Sequence, residues 1–211
     1  MKWIITAAAI AAGGGSVFAG AVTGPLEYLS EADSPYAGLD GWVLEDFEDG
    51  LLNIPGVSVN GGSVSGPSAV TDAGDGDDGA SDGSGSNGWS LFFTSPNGLT
   101  VTFDAGVIGG APVSAGIVWT DGLGDVTFRA FDTTGNLIGE TTASHAGTGV
   151  SGDTDEDRFY GGDHAAGIGS IFIITSGGGF EVDHLQYVIP TPGAAGLLVC
   201  AGLVGSRRRR G

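Results

Sequence analysis

Past the first twenty residues, no stretch of this chain repeats apolar side chains at the 3.6-residue spacing of a helix. What recurs is a short alternating or apolar run closed by Gly, Asp, Asn or Ser. Trp42–Phe47, Trp89–Thr94, Leu99–Phe103, Ala115–Thr120, Val126–Phe131, Leu137–Thr142, Ile168–Thr175 and Phe180–Val188 read as strands. In Leu99–Phe103 the apolar Leu99, Val101 and Phe103 fall on one face, with Thr100 and Thr102 on the other. Thr134-Gly135-Asn136 is the turn between two of the runs. The 42 glycines follow no strict period and so belong to turns and loops. The pattern predicts an all-β fold, an antiparallel β-sandwich or jelly roll. A right-handed β-helix would need a fixed repeat, and there is none.

Charge narrows the partners. Five of the seven basic residues, Lys2 and Arg207–Arg210, lie at the two ends. The stretch between keeps Arg129 and Arg158 against 25 acidic residues, a net of −23. Nucleic acid is excluded as a partner, because phosphates need a cationic surface. An anionic lipid surface is disfavoured for the same reason. So large a charge opposes compaction by self-repulsion, and divalent cations relieve it. The only cysteine, Cys200, lies near the C-terminus, so the domain has no internal disulfide.

The ends read as sorting segments. Lys2, the apolar run Trp3–Ala12, a Gly/Ser break and small residues at Ala19 and Ala21 form a secretory signal peptide over residues 1–21. Cleavage after Ala19 and cleavage after Ala21 both satisfy the small-x-small rule. Residues 22–188 are then one acidic domain and 189–211 a tail. In that tail Gly193–Ser206 is a short transmembrane segment of about 14 residues, under the ~20 of a full membrane helix. Arg207, Arg208, Arg209 and Arg210 hold its end on the cytoplasmic side. Together with Pro190, Pro192 and Gly193, this tail resembles the PEP-CTERM sorting signal of Gram-negative bacteria, with Thr191 where the name-giving motif has Glu. The resemblance implies an exosortase-type protease as partner, transient anchoring in the inner membrane, removal of the tail, and delivery to the cell surface or extracellular matrix.

A second resemblance covers most of Asp33–Val188. The segments L-E-D-F-E-D-G (44–50), D-G-D-D-G-A-S-D-G-S-G (75–85), A-G-I-V-W-T-D-G (115–122), E-D-R-F-Y-G (156–161) and E-V-D-H-L-Q-Y (181–187) look like an uncharacterised family of exported bacterial proteins, which often carry the same tail. It implies no activity. The layout is also similar, by analogy of pattern, to galactose-binding-like jelly rolls.

The candidate chemistry is carboxylate chemistry. Asp75, Asp77 and Asp78 sit in a glycine-rich loop whose crowded oxygens suit Ca²⁺, although the EF-hand register fails at Gly79. Glu48 and Asp183 join them if the first and last strands lie side by side. Asp183 shares strand parity with the apolar Leu185 and Tyr187, which would turn it inward, where a carboxylate needs a metal or a partner. A bulge at Asp183-His184 would turn it outward instead. His145 and His164 fall in glycine-rich loops expected to be exposed, and no H-E-x-x-H or G-x-S-x-G pattern occurs. Trp42, Trp89 and Trp119 could stack on sugar rings if exposed; Trp119 is expected in the core and Trp89 on a ligand face. These residues lead to a non-catalytic surface or matrix protein that is stabilised by calcium and binds extracellular polysaccharide. The alternative is a secreted glycan-active hydrolase using paired carboxylates. The intact mass of exported protein is expected to lack Arg207–Arg210; finding them on mature surface protein overturns the sorting reading.

Overall fold

The computed structural model describes residues 20–66, 88–94, 96–145 and 156–190. Both ends, and the segment holding Asp75, Asp77 and Asp78, lie outside the described residues. So do Pro192, Gly193 and the four arginines. No helix among the described residues is long and apolar enough to cross a membrane.

The described chain is all-β, with two antiparallel sheets forming a sandwich. One sheet holds β1 (Ala21–Glu27), β10 (Arg158–Asp163), β7 (Ser114–Gly122), β12 (Phe180–Val188), β5 (Ser90–Phe93) and β4 (Ser63–Ser65) in that order, and β2 (Trp42–Glu45) also pairs with β12. The other runs β3 (Val57–Val59), β6 (Leu99–Phe103), β11 (Ile168–Thr175), β8 (Val126–Asp132) and β9 (Leu137–Ala143). A single helical turn, α1 (Ala105–Ile108), follows β6. Asp104 caps it by accepting from the amides of Gly106 and Val107, and Gly109 ends it at φ 94°, a conformation glycine adopts without strain.

All eight expected strands are present, most within two residues of their expected ends. Trp42–Phe47 stops early because Phe47 takes φ 57° and cannot continue a strand. The core lies between the sheets. Ile117, Trp119, Tyr160, Phe180, Val182, Leu185 and Tyr187 come from the first, and Leu99, Val101, Phe103, Val126, Phe128, Ile171 and Ile173 from the second. Alternation delivers them, since Leu99, Val101 and Phe103 are buried while Thr102 between them is exposed.

A smaller cluster covers the outer face of the first sheet. Tyr28, Tyr36, Val118, Phe159 and Val188 pack there, with Trp42 and Val113 beside them. The chain between β1 and β2 lays Tyr28 and Tyr36 over Phe159, at ring separations of 6.5 and 5.3 Å. Phe159 is seated on Gly116, where a methyl group would come within 2.4 Å of its ring.

Phe128 is fully buried and stacks on Tyr160 at 5.9 Å. Phe128→Ala is expected to cost about 3–5 kcal/mol, a drop of roughly ten degrees or more in melting temperature. Thr102→Ala, on the exposed side of the same sheet, should stay within about 0.5 kcal/mol. Differential scanning fluorimetry on both variants checks the assignment of faces.

Candidate functional site

The strand β12 is shared along its length. Its first half pairs with β5, with Val182 opposite Leu91, and its second half with β2, with Leu185 opposite Glu45. The expected adjacency of the 42–45 strand to the last strand is therefore present. At the handover the register of β12 against β7 slips, with Asp183 opposite Val118 but Gln186 opposite Gly116. That is a bulge at Asp183-His184, and His184 takes φ 42°.

The bulge corrects the expected orientation of Asp183. Phe180 and Val182 before it, and Leu185 and Tyr187 after it, all reach the core. Asp183 instead falls on the face of Val118, in the outer cluster. It is nonetheless fully buried, and its Oδ1 accepts the His184 amide at 2.6 Å. Next to it the Tyr28 hydroxyl meets His184 Nδ1 at 2.5 Å. Burial first, and the charge of Asp183 second, push the Tyr28 hydroxyl well above the ordinary phenol value. Tyr28 therefore keeps its proton. One residue on, Gln186 Oε1 accepts from Ser34 Oγ and from Trp42 Nε1, the latter at 3.2 Å.

Several carboxylates near this junction hold backbone rather than ligand. Glu45 accepts the amides of Phe47, Asn53 and Ile54, so it folds the 46–54 loop back on itself. Glu48 lies past the end of β2, and its Oε1 accepts the Trp89 amide at 2.6 Å. Gly66 packs against the carbonyl of Gly88. The two flanks of the acidic 67–87 segment thus meet beside Trp89 and Glu48. Among the described residues, no group of three or more His, Cys, Asp or Glu is placed to hold a metal ion.

A row of acids, of which sequence reading marked only Asp183, crosses the outer face of the first sheet. Glu181 is directly opposite Asp121, and Asp183 is two residues further along β12. Asp157, one residue ahead of β10, comes level with Thr120, since Arg158 is opposite Trp119. Asp121, Asp157 and Asp183 are all under 4 % exposed. Simple alternation puts Asp121 on the side of Ile117 and Trp119. A second slip, between Glu181 and Val182, moves it across. Phe92, opposite Glu181, is the exposed aromatic of this row.

The tryptophans divide. Trp119 is fully buried, as expected, and stacks on Phe180 at 5.1 Å. Trp89 and Trp42 are half-buried, and the six-membered ring of Trp89 lies on Gly50. The histidines are engaged. His184 meets Tyr28, and His164 Nδ1 lies 3.2 Å from the Gly167 carbonyl. His145 is half-buried rather than exposed, edge-on to Trp119, with Nε2 at 2.5 Å from the Tyr160 hydroxyl. Burial, reinforced by Arg158, pushes the His145 imidazole down to about 4.

No family model matches this chain, and no curated protein matches it. Among solved structures, the Clostridium thermocellum endo-1,4-β-D-xylanase 10B, in its CBM22-1–GH10 modules complexed with xylohexaose, is similar at a TM-score of 0.31 and 12 % identity. That match covers 79 % of this chain and 29 % of the other. At so low a TM-score the likeness carries no argument.

His145 supplies a pH test. Its value falls from 6.5 to about 4, so between those limits the unfolded chain binds a proton that the folded chain refuses. The stability it contributes is whole above pH 6.5 and is lost as pH falls toward 4. Urea midpoints at pH 7 and pH 4.5 are expected to fall further in the wild type than in His145→Gln. Equal falls would place the imidazole in water.

Proposed function

We propose that this chain is an exported, non-catalytic surface or matrix protein, sorted by its C-terminal tail. Its sandwich is stabilised by Ca²⁺ and binds extracellular polysaccharide. The observation that carries the reading is the charge balance on the outer face of the first sheet. Asp121, Asp157 and Asp183 are each under 4 % exposed. Arg129, one of the two basic side chains among the described residues, pairs with Glu140 on the opposite sheet. Arg158 is the other guanidinium among the described residues, and three acids are buried on that face. A carboxylate buried in a sheet is costly unless hydrogen bonds and a counter-charge offset it. A hard divalent cation is the counter-charge available outside a cell, and oxygen ligands suit calcium.

Carbohydrate binding is supported by the exposed Phe92 ring, which stands opposite the half-buried Glu181. An aromatic face with a carboxylate acceptor at its side meets both surfaces of a sugar ring. The hydrolase reading is weaker because His145, His164 and His184 are all occupied, and Glu45 and Glu48 are spent on backbone amides.

Melting of the full chain in chelator is expected several degrees below melting in Ca²⁺, with Mg²⁺ restoring less. A ligand specific to the native state adds about 2.7 kcal/mol at a hundredfold excess over its Kd. Sodium chloride at matched ionic strength is the control, because screening ignores cation identity. If salt reproduces the whole calcium effect, the calcium reading fails. On a glycan array, Phe92→Ala should lose binding that Thr102→Ala keeps. Hydrolysis of any bound glycan would transfer the site to the alternative class.

A further inference from the structure

We infer that Asp121, Glu181 and Thr120 form a Ca²⁺ site on the outer face of the first sheet. The site rests on the calcium reading above and gives it a place that the sequence did not mark.

The geometry starts with the slip in register between β7 and β12. Glu181 is opposite Asp121 and Val182 is opposite Trp119, so Thr120 is the extra residue of a bulge in β7. Trp119 belongs to the core, and a side chain at Gly122 would collide with Trp119 and Phe180, which puts position 122 on the core side as well. Thr120 and Asp121, between them, are left on the other face. The bulge thus sets a hydroxyl and a carboxylate of neighbouring residues on the same face as the Glu181 carboxylate.

Two carboxylates directly opposite on adjacent strands have Cβ atoms about 5 Å apart, and like charges in that position destabilise a sheet. Here Asp121 is 3 % exposed and Glu181 half-buried, so water reaches the pair from the Glu181 side alone. An oxygen-seeking cation between them turns repulsion into attraction. Ser90 Oγ, itself fully buried, donates to Glu181 Oε2 at 3.0 Å and orients that carboxylate from the β5 side.

Thr120 is the independent sign of a ligand. Its Oγ1 is fully buried and has no hydrogen-bond partner among the described residues. A buried hydroxyl left without a partner is costly. A calcium ion accepts hydroxyl, carboxylate and backbone carbonyl oxygens in flexible geometry. A bulge adds carbonyls, because it interrupts the ladder that would otherwise occupy them. A site of two carboxylates, one hydroxyl and backbone oxygens also agrees with the lack of any three-acid group.

The test compares the full wild-type chain with Asp121→Asn and Glu181→Gln, by melting and by calorimetric Ca²⁺ titration. In chelator Asp121→Asn is expected to melt higher than wild type, because one of two facing charges is gone. In Ca²⁺ the order reverses. Calorimetry should lose one equivalent of Ca²⁺, or show that equivalent at least about tenfold weaker, since affinity follows ligand charge. Glu181→Gln should behave alike and decides the matter if the first variant does not fold. A wild type with no calcium-specific stabilisation defeats the calcium reading as a whole. A wild type that responds, beside folded variants that respond equally, defeats this site alone.

Discussion

The two-residue bulge in β12 is the constraint on which the rest of the structure turns. A strand has two faces and a period of two, so one extra residue exchanges them. Without the slip at Asp183-His184, either Phe180 and Val182 or Leu185 and Tyr187 would leave the core. With it, one nine-residue strand delivers four core side chains and still presents Asp183 to the outer face. The same irregularity lies where β12 changes neighbours from β5 to β2. The strained backbone of His184 is held there by the Tyr28 contact above and the Asp183 carboxylate beside it.

The chain manages its negative charge by giving many acids a backbone to hold. Asp132 is bound by the amides and side chains of Thr134 and Asn136, and those hydrogen bonds, led by the Asn136 amide group, keep its carboxyl well below the usual range. Asp104 caps the helical turn α1, and Glu45 accepts three backbone amides of the 46–54 loop. Ionised carboxylates are strong acceptors, so in a loop-rich fold they serve as staples. The buried acids of the outer face differ, because they crowd one another on adjacent strands.

Strand alternation was legible wherever a strand had an undisturbed period, and Leu99–Phe103 needed no tertiary information. Four strands were missed. Ala21–Glu27 follows directly on a segment that reads as a leader. Val57–Val59 and Ser63–Ser65 are three residues each and carry mostly small side chains. Arg158–Asp163 hides two core-adjacent rings between an arginine and two glycines. The site was less legible, because it depends on register. Whether Asp121 faces Trp119 or Glu181 is decided by one inserted residue in pairing with a strand some 60 positions away. Likewise the burial of His145 depends on Trp119 and Tyr160, neither of which is its sequence neighbour. Asp183 lies in β12 and Glu48 past the end of β2, and each accepts a backbone amide, Asp183 from its neighbour His184 and Glu48 from the distant Trp89.

The borders of the two sheets have a consequence for association between copies of the chain. An open strand edge is a template for another chain. Here β3 and β4, each at one border, extend for only three residues. At the border formed by β1, Pro25 removes a donor and the ladder slips between Thr23 and Leu26. At the fourth, β9 carries Glu140 and its own slip beside Gly139. Each of these four borders is short, broken or charged, and so is a poor template for the backbone of another copy.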